Sequence, residues 1–166
     1  MIPKLGKSPY EPASYRPISL LPVLSKLFEK LLLKRIKPII EKNKLIPNHQ
    51  FGFREKHSTI DQVHRITSVI ENTLEQKNVC ATIFLDVAQA FDKVWHEGLL
   101  HKLNCMFPIQ YSKILESYLI ERYFRVKCEE AYSELKEIKA GVPRGSVLGP
   151  ILYLLLTNDV PYIEGN

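Results

Sequence analysis

Between residues 22 and 42, in "PVLSKLFEKLLLKRIKPIIEK", apolar side chains recur every three or four positions: Leu24, Leu27, Phe28, Leu31, Leu32, Ile36 and Ile39. That spacing is the stripe of an amphipathic helix. Pro22 suits its first turn, and Pro38 is expected to kink or end it. A second stripe (Ile60, Val63, Ile66, Val69, Ile70, Leu74) predicts another helix through "STIDQVHRITSVIENTLEQ", with Thr59 and Gln62 at capping-box spacing. The pattern then changes. "NVCATIFLD" (78–86) is short, β-branched and uncharged until Asp86, which predicts a strand buried on both faces. Helices are expected from about Phe91 to Met106 and from about Tyr111 to Ile120. A hairpin of "YFRVKCE" and "YSELKEIKA" turns near Glu129–Glu130. A Gly/Pro loop, "GVPRGSVLGP", precedes a buried helix in "ILYLLLTND". The first 22 residues, with five prolines, read as extended chain. Helices on a small sheet make an α+β fold.

Composition narrows the class only a little. At 166 residues, 45% hydrophobic and 25% charged, the chain can bury a core and is not of disordered type. The apolar run at 151–156 is too short to span a bilayer, and no signal-peptide core opens the chain. Three scattered cysteines without a C-x-x-C point to reduced thiols in an intracellular protein, nucleus or cytoplasm being indistinguishable, and away from zinc. Charge is divided unevenly. Residues 1–58 hold 12 Lys/Arg against 4 Asp/Glu, whereas residues 59–166 hold 11 against 14. A basic front half suits a polyanion such as nucleic acid, but on charge alone a solvated helix face is the favoured reading, since five of the cations, from Lys26 to Lys37, fall in one helical stretch.

Candidate chemistry centres on Asp86. A carboxylate at the end of a buried strand sits at a sheet rim, where it serves as a helix cap, a turn residue or a metal ligand. Asp92, six residues on, lies about 240° round a helix and is no natural second ligand. "GKS" at 6–8 lacks the earlier glycine and the strand of a phosphate-binding loop. The five histidines have no metal-ligand spacing, and no G-x-S-x-G or Cys–His pattern supports covalent catalysis.

Four ordered stretches change the picture: "YRPISLLPVLSKLFEK" (15–30), "NHQFGFREKHSTIDQV" (48–63), "FLDVAQAFDKVWHEGLLHKL" (84–103) and "AGVPRGSVLGPILYLLLTND" (140–159). Together they resemble the reverse transcriptases of non-long-terminal-repeat retrotransposons, jockey-like elements above all, over nearly the whole chain. The resemblance implies a right-hand polymerase fold, fingers plus incomplete palm. Residues 1–78 would be fingers and 79–166 the N-terminal part of the palm, with 109–140 open to either. It implies RNA-directed DNA polymerisation by two-metal nucleotidyl transfer, with Mg²⁺ as cofactor. An RNA template, a DNA primer, deoxynucleoside triphosphates and the remainder of a parent polyprotein are the implied partners, and no membrane. Asp86 would bind both metal ions and the Val87 carbonyl one of them. Phe91 would underlie the incoming sugar; Arg16, Lys26, Arg144 and Gly145 would contact the nucleotide, and Arg54, Gly141 and Gly149 the template. Arg144 stands where the family usually has Gln. The aromatic–Ala–Asp–Asp turn that brings the other carboxylates is absent from these 166 residues, so the chain reads as a fragment inactive alone. The competing readings are a non-catalytic nucleic-acid-binding remnant and, further off, another two-metal phosphotransferase or nuclease.

Overall fold

The computed structural model describes residues 2–161 other than Pro9, Pro17 and Glu129. Glu129, named for the hairpin turn, therefore lies outside the described residues. Five helices dominate: α1 (Val23–Lys42), α2 (Thr59–Glu75), α3 (His96–Met106), α4 (Ile109–Leu119) and α5 (Gly149–Leu156). Among the described residues the strands are two-residue pieces that pair antiparallel: β1 (Ile2–Pro3) with β2 (Tyr15–Arg16), β3 (Tyr123–Phe124) with β6 (Lys136–Glu137), and β4 (Lys127–Cys128) with β5 (Ala131–Tyr132). The last two pairs nest into the expected hairpin. The mixed helix and strand content agrees with the expectation at the level of class.

One core holds the molecule together. Leu99 and Leu103 of α3, Leu115 and Leu119 of α4, and Leu152 and Leu155 of α5 are fully buried, and Ile36 of α1, Val94 and Leu148 join them. Polar anchors close the helix ends around it. The Ser112 hydroxyl of α4 donates to the Leu103 carbonyl at 3.1 Å, joining the Phe107 N–H that caps the C-terminus of α3 on the same acceptor at 2.9 Å. Lys102 of α3 donates to the Leu156 carbonyl at the end of α5 and pairs with Asp159. Asp159 thus does helix-end work, and Lys102 holds its carboxyl below the usual carboxylate range.

Several expectations change. No strand forms over 78–86 among the described residues; Val79, Ile83, Phe84 and Leu85 are 80–93% exposed. A buried strand needs neighbours to take its N–H and C=O groups, and none is paired with it here. Helix α3 begins at His96, not Phe91, because the backbone before it is used otherwise. Residues 88–93 form turns with Gln89 at φ 58°, and Trp95 bridges Ala140. Helix α1 does not end at Pro38; Ile36 and Ile40 are buried on either side of it, and that packing offsets the lost hydrogen bond. The cap of α2 is shifted by one residue: Ser58 and Asp61 form the reciprocal box, not Thr59 and Gln62. Those bonds hold the Asp61 carboxyl below its usual range. The α2 stripe is present but buries no residue fully, with Ile60, Val63, Val69 and Leu74 exposed. In α1 the exposed residues include Leu24, Leu27, Phe28 and Leu31, and the buried face is Glu29, Leu32, Ile36 and Ile40.

Candidate functional site

The loop 140–149 is tied to several elements of the fold. Its first residues pair with the turn before α3: Gly141 N–H donates to the Val94 carbonyl and Val142 N–H to the Phe91 carbonyl, both at 2.8 Å. His96, buried at the head of α3, donates from Nε2 to the Gly141 carbonyl at 2.7 Å. Gly141 has φ +93°, and a Cβ there would lie 2.8 Å from the Asp92 carbonyl oxygen. Only glycine fits both the backbone angle and the approach.

Arg144 is committed as well. Its Nε and Nη2 donate to the two carboxylate oxygens of Asp92, at 2.9 and 2.6 Å. This is the forked geometry in which arginine binds carboxylate most strongly, and both side chains are about a quarter exposed. The Arg144 carbonyl accepts from Ser19 N–H at 3.1 Å. Asp92, set aside as a metal ligand on spacing, is therefore the counter-ion of the residue that departs from the family pattern. Spacing alone gave no hint of that contact across 52 residues. Gly145 (φ +88°) is exposed with only the Ser19 carbonyl near its missing Cβ, at 3.8 Å. Gly149 is buried, and a Cβ there would meet Ser146 Oγ at 2.7 Å. Of the three loop glycines, Gly145 alone faces open space; Gly141 and Gly149 are required by packing within the chain.

Phe91 sits beside this loop. Its ring meets Phe53 edge-on at 5.4 Å between centroids and Tyr153 of α5 at 5.2 Å. Arg54 donates through Nη1 to the Pro47 and Gln50 carbonyls at 2.9 and 3.2 Å, which leaves its other donors for a ligand. Phe53 and Arg54 also line a cavity of about 350 Å³ between α1 and α5, with Lys37, Lys44 and Ile151. Arg16 and Lys26 are exposed on β2 and α1.

Asp86 stands apart from this order. It is exposed on an extended segment without a ladder, next to Val87 at 59% exposure. Its hard carboxylate oxygens and the neighbouring carbonyl suit a divalent cation of Mg²⁺ type, but they are a partial donor set. Among the described residues no group of three or more His, Cys, Asp or Glu side chains comes together to hold a metal.

Comparison with known proteins decides the lineage. A family model described as reverse transcriptase (RNA-dependent DNA polymerase) matches residues 2–162. The chain belongs to the reverse transcriptase family. It is 49% identical over 161 residues to the "Probable RNA-directed DNA polymerase from transposon BS" of Drosophila melanogaster, and 47% identical over 161 to the "RNA-directed DNA polymerase from mobile element jockey" of the same organism. Each match covers 97% of this chain and 18% of the relative. A more distant match, 25% identical over 162 residues, is a Pol polyprotein from the R2 element of Popillia japonica. The resemblance to jockey-like elements drawn from four motifs is thereby borne out, and the chain is a reverse transcriptase domain sequence of a transposable element. Two features of this domain escaped the sequence reading, the His96 anchor and the Glu29 carboxylate under the loop. A histidine or glutamate inside an otherwise apolar stripe was the available signal.

Proposed function

We propose that this chain supplies the fingers (1–78) and the first part of the palm (79–166) of an RNA-directed DNA polymerase in a right-hand fold. In it Asp86 and the Val87 carbonyl hold Mg²⁺ at the reacting phosphates. The observation that carries this reading is the backbone pairing of Phe91 with Val142 beside the tethered loop. It keeps the aromatic ring close to Arg144 and Gly145, as a site that gauges a nucleotide's sugar against its base requires. Phosphoryl transfer asks a protein mainly for position and charge, and bound Mg²⁺ supplies the charge that the transferring phosphate needs.

The other roles belong to the chain itself. Arg16 and Lys26, exposed on the basic front half, face the triphosphate as forked and point cations respectively. Phe91, backed by Phe53 and Tyr153, excludes a ribose 2′-hydroxyl by bulk. Arg54 and the loop at Gly141, Gly145 and Gly149 run along the template. Arg144, its fork already engaged by Asp92, stiffens the loop in place of the base contact that a glutamine makes there. The partners are an RNA template, a DNA primer and deoxynucleoside triphosphates, within a parent polyprotein about five times longer, since the chain spans 18% of its relatives. An intracellular setting fits the free thiols of Cys80 and Cys105. No helix among the described residues is long and apolar enough to cross a membrane.

The chain carries Asp86 but not the paired carboxylates of the two-metal site, so by itself it extends no primer on an RNA template with Mg²⁺. Substituted for the matching 161 residues of the jockey polymerase, it gives an active chimera that Asp86→Ala abolishes. Extension by the isolated chain overturns the first expectation. A folded chimera that binds template and primer yet stays inactive favours the non-catalytic remnant.

A further inference from the structure

The loop is also held from beneath, by a charge that helix packing does not call for. Glu29 lies on the buried face of α1, one turn before Leu32 and two before Ile36, and is 1% exposed. Its Oε2 accepts from the backbone N–H groups of Val147, at 2.5 Å, and Leu148, at 3.1 Å. Its Oε1 accepts from the Tyr118 hydroxyl of α4 at 3.3 Å. The two amides lead into α5, where the first N–H groups of a helix lack partners within it and a carboxylate is favoured. Burying a carboxylate is costly unless its oxygens are bonded; here the bonds lead to one tyrosine and to the end of the glycine loop. Arg122, whose buried Nη1 has no hydrogen-bond partner among the described residues, is a cation whose field reaches Glu29.

A leucine at position 29 would continue the apolar stripe and pack without any desolvation cost. The carboxylate must therefore serve something other than adhesion between helices. We infer that Glu29 is the positioning residue of the glycine loop, fixing Val147 and Leu148 and through them the set of Arg144 and Gly145 against the Phe91 turn. Glu29 touches no substrate and acts through the loop. The role of the loop in binding template and nucleotide rests on the function proposed above; the way Glu29 holds it does not.

Three variants and one control test the inference in the 166-residue chain. Amide hydrogen exchange is followed by NMR at Val147, Leu148, Leu99 and Leu103, and binding of a labelled RNA–DNA primer–template by anisotropy. Glu29→Leu keeps the fold, leaves exchange at Leu99 and Leu103 unchanged, and speeds exchange at Val147 and Leu148 by about tenfold or more. Duplex affinity falls with it by about fivefold. Glu29→Gln, whose amide oxygen can still accept from both N–H groups, restores both readouts to within about twofold. Glu29→Ala behaves as Glu29→Leu does at the loop and also loses global stability. Leu32→Ala, one turn along the same face, accelerates all four amides together. If Glu29→Leu leaves Val147 and Leu148 protected, or affinity follows global stability and not loop protection, the inference is overturned. If the unaltered chain binds no duplex, the proposed function fails, while the exchange pattern still decides the role of Glu29.

Discussion

The loop at 140–149 and the segment at 79–87 carry the two ends of one proposed chemistry, and they are built in opposite ways. The loop is bonded to α1, to the turn before α3, to His96 and to Ser19, and two of its residues, Val142 and Leu148, sit in the core. The segment bearing Asp86 has the more strand-like composition, yet its apolar side chains face outward without a ladder. The difference lies in where each finds its partners. The loop closes its hydrogen bonds within reach of helices already in the chain. The segment needs strands on both sides, and its Val79 and Ile83 are largely exposed instead. The segment 140–149 is thus bonded and packed, whereas the segment bearing the proposed metal ligand Asp86 is exposed and lacks a ladder.

The largest effect separates the two regions by stability. Leu115→Ala or Leu152→Ala removes a fully buried side chain from the core that backs the loop and lowers unfolding free energy by about 3 kcal/mol. Ile83→Ala, at 85% exposure, changes it by less than about 0.5 kcal/mol. Urea denaturation of the three variants checks both halves, and an equal loss at Ile83 would mean that the segment is packed after all.

How much of this contrast the sequence foretold depends on whether a pattern's partner lies nearby. The α5 run and the hairpin were readable because their periodicity is satisfied locally, by core leucines and by adjacent strands. The strand at 78–86 was read from the same kind of signal and failed, since composition states what a segment could pair with and not whether a partner is there. Helix α1 shows the intermediate case. Its stripe was visible, but the buried face is rotated toward Glu29, because bonds to Val147 and Leu148 from 118 residues away outweigh a purely apolar choice. The Asp92–Arg144 pair was equally hidden. Of the candidate site, motif order singled out Phe91 and the loop glycines, and only the structure shows what each packs against.

Next in size is an alkaline effect confined to the loop's side of the molecule. Burial, with the Glu29 carboxylate beside it, pushes the Tyr118 hydroxyl up from 10.0 to about 12. Between those two pH values the folded chain keeps a proton that the unfolded chain has lost, so each rise in pH favours unfolding. The contribution is whole below about pH 10 and gone above about pH 12; its size is about 2 kcal/mol, trimmed by the exposed part of the ring. Tyr118→Phe removes this part of the decline, so its denaturation midpoint falls less steeply over that range than that of the unaltered chain. Parallel curves would sever Tyr118 from the loop's support.

Smaller again is the ion pair. Arg144→Gln restores the residue usual in the family and costs about 1 kcal/mol, because the forked pair is strong but a quarter exposed. Asp92→Asn costs about as much, and the double variant loses little more than either single one, so a double-mutant cycle returns a coupling close to 1 kcal/mol. Additive losses would mean that the two side chains act on the loop separately.

Smallest of all is the change at Asp86, the proposed metal ligand. Asp86→Asn alters unfolding free energy by less than about 0.5 kcal/mol, since the side chain is exposed. In the jockey chimera the same substitution abolishes primer extension, because an amide replaces a charged oxygen donor to Mg²⁺. Stability and activity thus part company at Asp86 and run together at Leu152. That divergence is expected only if the carboxylate's partners come from outside these 166 residues. A stability loss at Asp86 comparable to that at Leu152, measured in the isolated chain, would place the segment inside the same packed unit as the loop and remove the contrast between them.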